Sequence, residues 1–239
     1  KEELHKICEL YKSWLDKGKT ERECVELAVE LAEKAGYHNL EEYLSEERQI
    51  QKGEKIYAVC MKKCIVLFRM GAEPISAGMN ILGAHIDSPR IDIKQNPLYE
   101  KDDFTYLDTH YYGGIKKYQW VTQPLALHGV VVKKDGSCVN ISIGEREDEP
   151  VFVITDLLVH LASKQLEKKA GEVIEGEKLD ILVGNCPIER DENLKEERET
   201  VKANVLKILE EAYGISEEDF ASAELEIVPS GKARDIGFD

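Results

Sequence analysis

Residues 80–90 read Asn-Ile-Leu-Gly-Ala-His-Ile-Asp-Ser-Pro-Arg, a short apolar run that ends in His-x-Asp and is stopped by a proline. The run predicts a buried strand over residues 79–85. Side chains alternate between faces along a strand, so His85 and Asp87 are expected on the same side. The carboxylate could then hold one ring nitrogen of the imidazole while the other binds a metal ion. From the spacing alone, His85 could be a metal ligand or a hydrogen-bonded core histidine, and the two interpretations are about equally supported.

The residues before this run predict helices followed by a hairpin. Apolar residues recur at helical spacing through the first 46 residues, and Gly18 and Gly36 are expected to end two helices. Thr20 and Glu23 form a capping-box pattern at the start of the second helix. Strands are predicted at 56–59 and 64–69 on either side of a short basic turn. The chain therefore opens as an α/β protein.

Beyond Pro89 the sequence becomes richer in strand patterns, and Asn96-Pro97 reads as a boundary. We predict a short helix over 156–166 and an amphipathic helix over 197–213 that ends at Gly214. The predicted strands are 105–108, 126–133, 139–143, 151–154, 180–184 and 223–228, with a hairpin turn at 134–137. The domain prediction is 1–95 for the α/β part, 96–229 for a β-rich domain, and 230–239 for a return to the first domain.

Composition argues against several classes of protein. The 239 residues carry a net charge of −15 with a pI near 5.0, which disfavours nucleic acid and anionic membranes as partners. The longest apolar runs are too short to span a bilayer. Six scattered cysteines read as free thiols in a reducing cytoplasm. Cys60 and Cys64 have no second Cys/His pair at zinc-finger spacing, so we predict ordinary thiols there.

Further stretches give the His-x-Asp run its context. They are His-Tyr-Tyr-Gly-Gly-Ile-Lys-Lys-Tyr (110–118), Pro-Leu-Ala-Leu-His-Gly (124–129), Asp-Leu-Leu-Val-His-Leu (156–161), Glu-Ile-Val-Pro (226–229), Ala-Arg-Asp (233–235) and Gly-Phe-Asp (237–239). Together with residues 83–89, and in this order, they resemble the bacterial branch of the aspartyl aminopeptidase family. These are co-catalytic zinc aminopeptidases that form large assemblies. The resemblance covers essentially the whole chain.

The resemblance implies a zinc-peptidase α/β catalytic domain interrupted by an inserted β-rich domain that mediates subunit contacts. His85 would bind one of two zinc ions, with cobalt or manganese as possible substitutes, and Asp87 would orient its ring. His160 would reach the active site of a neighbouring subunit and help to bind substrate or stabilise the transition state. The expected partners are peptide substrates and further copies of the chain, a dodecamer by resemblance.

The family's remaining metal ligands and its general-base glutamate lie beyond the last residue of this sequence. One imidazole cannot hold a co-catalytic site, so we expect the chain by itself to be inactive. The leading hypothesis is a cytoplasmic metalloaminopeptidase. The alternatives are a catalytically inactive assembly module and another co-catalytic hydrolase such as an amidohydrolase.

Several motifs keep a second interpretation. His160, between Val159 and Leu161, reads without the resemblance as a packed histidine on an amphipathic turn. Residues 112–114, Tyr-Gly-Gly, could bring backbone close to a ligand or form a plain turn. Lys116 and Lys117 are interpreted as solvated surface. No chemistry is assigned to His5, His38, His110 or His128, because none has a carboxylate or imidazole at ligand spacing.

Overall fold

The computed structural model describes residues 1–188 and 199–237, which fall into two compact units. The first unit comprises Lys1–Ser88 and the end of the chain from Lys232, and the second comprises Pro89–Gly231. No helix within the described ranges is long and apolar enough to cross a membrane.

The first unit packs three helices with a three-stranded sheet. The helices are α1 Glu2–Lys17, α2 Glu21–Lys34 and α3 Leu40–Ser45, and the strands are β1 His38–Asn39, β2 Lys55–Cys60 and β3 Cys64–Arg69. The strand order is β1-β2-β3, with β1 parallel and β3 antiparallel to β2. Val25, Tyr43, Ile56 and Tyr57 are buried in this unit.

Local signals predicted the ends of α1 and α2 and the hairpin of this unit correctly. Gly18 follows the last residue of α1, and Gly36, with φ of 81°, lies just beyond α2. The Thr20 side chain accepts a hydrogen bond from the Glu23 N–H, and the Glu23 carboxylate accepts one from the Thr20 N–H. The predicted hairpin is confirmed as β2 and β3.

The predicted strand over 79–85 is wrong. Residues 78–89 form no helix or strand, and the side chains of Ile81 and Leu82 are 80% and 99% exposed. A strand exists through hydrogen bonds to a neighbouring strand, and no segment in the described part of the chain pairs with these residues. The apolar run therefore lacks the partner on which its predicted burial depends.

The second unit is built on a six-stranded sheet in the order β7-β6-β9-β4-β5-β8, with every neighbouring pair antiparallel. The strands are β4 Arg90–Lys101, β5 Phe104–Tyr112, β6 Leu125–Val132, β7 Cys138–Ile143, β8 Ile181–Gly184 and β9 Ala223–Pro229. Two helices accompany the sheet, the short α4 Ser163–Leu166 and the longer α5 Thr200–Tyr213. The chain thus contains both helices and a curled β-sheet, which confirms the predicted mixed α/β class.

One face of this sheet forms the core of the second unit. Ile91, Leu127 and Ile227 lie on three neighbouring strands and are 0%, 5% and 0% exposed. Helix α5 adds Val205 and Leu209 to this cluster, and the 3₁₀ helix Glu217–Ser222 adds Phe220. Gly214 ends α5 in the left-handed conformation, as predicted.

Three predictions for this unit need correction. Asn96-Pro97 lies inside β4, where the register with β5 shifts between Ile93 and Leu98, and the two compact units separate after Ser88 instead. Residues 152–154 make isolated bridges, not a strand. The helix predicted over 156–166 is a 3₁₀ turn at Val159–Leu161 followed by the single turn of α4. Residues 197 and 198 of the helix predicted over 197–213, and the match at 238–239, lie outside the described residues.

Candidate metal centre

His85 and Asp87 lie near the end of residues 78–89, the segment without helix or strand that precedes the second unit. The structure brings their side chains together although the segment is not a strand. Nδ1 of His85 lies 3.2 Å from Oδ1 of Asp87 and 3.0 Å from the Asp87 backbone oxygen. A ring N–H at Nδ1 can donate to either oxygen, which leaves Nε2 as the nitrogen with a lone pair for a metal ion.

The His85–Asp87 pair is accessible to solvent. The side chains of His85 and Asp87 are 84% and 41% exposed. The imidazole suits zinc as a donor, and the carboxylate on its other nitrogen suits an orienting group. However, the described residues contain no cluster of three or more His, Cys, Asp or Glu side chains that could hold a metal ion. Within the described ranges, His85 with Asp87 is thus a candidate for a single ligand position, and its role as a metal ligand stays a prediction.

A charged cluster follows the His85–Asp87 pair closely in the sequence. Arg90 is the first residue of β4, and its Nε is 2.8 Å from Oδ1 of Asp92 and 3.3 Å from Oε2 of Glu226. Its guanidinium carbon lies 4.4 Å from the centre of the Tyr112 ring. The side chains of Arg90 and Glu226 are only 9% and 4% exposed. This cluster was not anticipated from sequence.

Residues 112–114 lie beside this charged cluster. Gly113 has φ of +74°, and a Cβ atom built on it would meet Pro89 at 3.5 Å. The positive φ is the conformation that glycine adopts readily, and it agrees with the interpretation of these residues as a turn. An approach of these residues to a ligand stays a prediction.

His160 lies on the 3₁₀ turn Val159–Leu161 in the second unit, and its neighbours are apolar and exposed. Leu158, Val159 and Leu161 are 71%, 66% and 70% exposed, and His160 itself is exposed. The alternative interpretation, a packed histidine on an amphipathic turn, does not agree with this exposure. Its suggested role toward a neighbouring subunit remains a prediction.

Other histidines find carboxylate partners that sequence spacing could not reveal. His128 is buried, and its Nε2 lies 3.0 Å from Oε1 of Glu145. His110 is exposed, and its Nδ1 is 3.8 Å from Oε1 of Glu177. The first pair forms across the β6–β7 hairpin and the second between segments that are distant along the chain, so both depend on strand pairing and folding. The six cysteines are free, and five of them, including Cys60 and Cys64, are exposed.

Comparison with known proteins gives a consistent result. The model of the family described as "Aminopeptidase I zinc metalloprotease (M18)" matches residues 14–239. The probable M18 family aminopeptidase 1 of Clostridium acetobutylicum is 56% identical over 237 residues, which cover 99% of this chain and 50% of that protein. The chain spans about half the length of the curated relatives it matches.

Solved structures agree with the sequence comparison. The crystal structure of an M18 family aminopeptidase from Thermotoga maritima superposes with a TM-score of 0.90 at 42% identity, and the match covers 99% of this chain and 50% of that one. The mApe1 dodecamer of S. cerevisiae shares the fold, with a TM-score of 0.62 at 16% identity over 93% of this chain and 48% of that one.

Proposed function

The chain belongs to the M18 family of zinc metalloproteases, and on that premise we propose that it forms the amino-terminal half of a metalloaminopeptidase. The complete enzyme removes residues from the amino terminus of peptides with two divalent metal ions, zinc in the first instance and cobalt or manganese as substitutes. The observation that carries the proposal is the His85–Asp87 contact, because an imidazole held at Nδ1 by a carboxylate is prepared to bind zinc through Nε2.

The two residues have different roles in this proposal. His85 binds one metal ion through Nε2, and Asp87 fixes the tautomer and the orientation of the ring. Bound metal supplies Lewis acidity toward the scissile carbonyl and toward a water molecule. The remaining ligands and the general base come from the half of the enzyme that the relatives possess and this chain does not span.

His160 acts, in the same proposal, at the active site of a second copy of the chain. Its exposed position among Leu158, Val159 and Leu161 supports this role, since contiguous exposed apolar residues mark interaction surfaces. A neutral or protonated imidazole can donate a hydrogen bond to the oxyanion that develops as the peptide bond is attacked. The enzyme is then a homo-oligomer, up to a dodecamer, that acts on peptides in the cytoplasm.

A second candidate is a catalytically inactive assembly module. Two observations favour it: the described residues hold no complete metal cluster, and the stretch around His160 is apolar and exposed. In this case the β-rich unit would associate with its copies, and His85 would be an isolated ligand. Pro89–Gly231 would serve as an oligomerisation domain under either candidate.

Mass and metal content measured on the same preparation separate the two candidates. A mass well above 27.1 kDa with about two transition metals per subunit supports the enzyme. A mass near 27.1 kDa without stoichiometric metal supports the assembly module. In the larger protein His85→Ala should abolish one metal equivalent, whereas His38→Ala, at an exposed histidine of the same unit, should bind metal normally. Normal metal content in the His85→Ala variant contradicts the proposal.

A further inference from the structure

Two cysteines lie opposite each other at the turn end of the hairpin in the first unit. Cys60 is the last residue of β2, Cys64 is the first residue of β3, and the register pairs them directly. Side chains of directly opposite residues in an antiparallel pair lie on the same face of the sheet. Both cysteines are free thiols, and both are exposed. The two thiols are therefore neighbours that a small reagent in solution can reach.

The distance between opposite strand positions suits a disulfide. Directly opposite residues have Cα atoms about 4.5–5.5 Å apart, and a disulfide joins Cα atoms roughly 4.4–6.8 Å apart. The Cβ atoms have to approach slightly, from about 4.5–5.5 Å to about 3.5–4.5 Å. Because only the turn at 61–63 connects the strands beyond the pair, a small movement of this turn is enough to bring the two sulfur atoms into bonding distance.

The turn between the two cysteines holds them in register. Met61 and Lys62 have φ of 53° and 57°, and the N–H of Lys63 donates to the carbonyl oxygen of Cys60 at 3.0 Å. Nη1 of Arg22 on α2 donates to the carbonyl oxygen of Met61 at 3.1 Å. The thiols are thus held close together before any bond forms, so a reaction between them loses little further conformational entropy.

Cys138 shows what the opposite cysteine adds. It is the first residue of β7, after the hairpin turn at 134–137, and it is exposed in the same way as Cys64. Its opposite residue is Val132. The two hairpins therefore present a cysteine at the same position, one with a thiol directly opposite and one with an aliphatic side chain.

We propose that Cys60 and Cys64 form a thiol–disulfide exchange site for low-molecular-weight disulfides. The thiolate of one cysteine attacks a sulfur atom of the small disulfide, which gives a mixed disulfide and releases one small thiolate. The thiolate of the other cysteine then attacks the protein sulfur of the mixed disulfide, and the second small thiolate leaves. The two protein thiols lose two electrons, the small disulfide gains them, and the protons of the protein thiols pass to the two small thiols.

The same geometry makes the reaction reversible. Exposed disulfides are among those that small thiols reduce readily, so an excess of small thiol returns both cysteines to the free state. The second cysteine also stops oxidation at the disulfide, before the irreversible acids form. In reducing compartments such transient disulfides serve as redox sensors. The inference goes beyond the proposed function and uses none of the residues on which that proposal rests.

The test uses the intact protein as isolated, reduced, freed of reductant and then treated with glutathione disulfide. The reaction is stopped with acid, remaining thiols are blocked with a maleimide, and the protein is digested with trypsin without reduction. Trypsin cleaves after Lys62 and Lys63, so Cys60 and Cys64 fall on separate peptides, 56–62 and 64–69. Mass spectrometry finds these peptides joined only where the disulfide has formed.

Wild type should give the joined peptides, with loss of both thiols and no lasting glutathione adduct on either cysteine. An excess of reduced glutathione should restore both thiols. Cys60→Ser and Cys64→Ser should each keep a glutathione adduct on the remaining cysteine, because the attacking thiol is missing. Cys138 should carry a glutathione adduct in wild type, and Cys138→Ser should form the joined peptides as wild type does.

Three results overturn the inference. They are lasting glutathione adducts on Cys60 and Cys64 of wild type without joined peptides, no reaction at either cysteine, and joined peptides that come from two copies of the chain. A mixture of isotope-labelled and unlabelled protein identifies the last case, since a disulfide within one chain never joins a labelled peptide to an unlabelled one. If a serine variant at position 60 or 64 fails to fold, wild type and Cys138→Ser decide by themselves.

Discussion

The carboxylate of Glu100 on β4 accepts a hydrogen bond from the backbone N–H of Val201, at 2.9 Å, in the first turn of α5. The same oxygen accepts the N–H of Lys202 at 2.8 Å. The residue that precedes α5, Glu199, has a left-handed backbone and makes no side-chain cap. A strand of the sheet therefore provides the helix with the cap that its own sequence lacks.

Glu100→Ala should destabilise the second unit by about 1–2 kcal/mol. The N–H groups of Val201 and Lys202 would lose their acceptor, and the helix would lose a negative charge that interacts favourably with the amino-terminal end of its dipole. Urea unfolding monitored by circular dichroism measures the change. Glu172→Ala, at an exposed carboxylate of the same unit, is the matched control and should change stability little. Equal stability of the two variants would show that the contact contributes nothing.

Gly129→Ala should destabilise the sheet by more than about 2 kcal/mol. Gly129 has φ of +137°, and a Cβ there would lie 2.0 Å from the backbone oxygen of Glu224 on the next strand. Gly171 has open space around it, so Gly171→Ala should be tolerated. Thermal unfolding of both variants tests the prediction, which fails if they melt alike.

Glu149 should make stability depend on pH in the acidic range. Burial acts to raise the pKa of its carboxyl, but hydrogen bonds from the backbone N–H groups of Arg146, Gly144 and Glu145 outweigh it and hold the pKa below its ordinary value. A carboxyl with a lowered pKa in the folded state stabilises the fold above its ordinary pKa, and this contribution disappears as the pH falls through the folded-state value.

Glu149→Gln should accordingly be less stable than wild type near neutral pH and lose less stability on acidification from about pH 5 to pH 3. The measurement is the free energy of unfolding as a function of pH. Glu147→Gln, at an exposed neighbour, should follow the wild-type curve. Parallel curves for wild type and Glu149→Gln would contradict the assignment.

Asp87→Asn should weaken zinc binding by the full-length enzyme about 10- to 100-fold without removing a metal ligand, since an amide can no longer hold the His85 ring as an acceptor of equal strength. The zinc dissociation constant measures the loss. Asp148→Asn changes an exposed aspartate that contacts Arg146 and should bind zinc like wild type. Unchanged zinc affinity in the Asp87→Asn variant would contradict the orienting role proposed for Asp87.

Leu158→Ser combined with Leu161→Ser should shift the protein toward smaller species, because the exposed apolar stretch around His160 would lose area to bury against a partner. Sedimentation equilibrium measures the distribution. Ile208→Ser, on the exposed side of α5, removes a comparable apolar side chain elsewhere and should leave the distribution unchanged. An unaltered assembly in the double variant would place the interface elsewhere.

The features of this fold that depend on residues close together in the sequence are easier to predict than those that depend on residues far apart. The helix boundaries at Gly18, Thr20 and Gly214 were predictable because caps act over one turn. The hairpin turn at 134–137 was predictable for the same reason, and Gly136 takes φ of 84° there.

Errors arose where the outcome depends on distant residues. Strand β4 was missed because Pro97 normally argues against a strand, yet the shift of register between Ile93 and Leu98 accommodates it. The apolar run at 79–85 predicts a strand because its hydrophobicity can be read from neighbouring residues. A strand also needs a partner strand, and a partner can lie far away in the sequence, so the run alone does not show that one is present.

The candidate site shows the same difference between contacts of neighbouring residues and contacts of distant ones. The contact between His85 and Asp87 follows from residues two apart. The pair of Arg90 and Glu226 joins opposite ends of a long segment, and the pair of His128 and Glu145 forms between a strand and a loop. The first pair depends on β4 lying beside β9, and the second depends on the register of the β6–β7 hairpin, so residue spacing alone predicts neither pair.

Strand order also bears on how such a protein arises. Because β4 and β9 lie side by side, Pro89–Gly231 begins and ends at adjacent points. A segment with adjacent ends can enter a loop of a host protein, or be exchanged for another, without forcing the host's flanking residues apart. The adjacent ends of Pro89–Gly231 therefore make it a segment suited to replacement by another domain in one step.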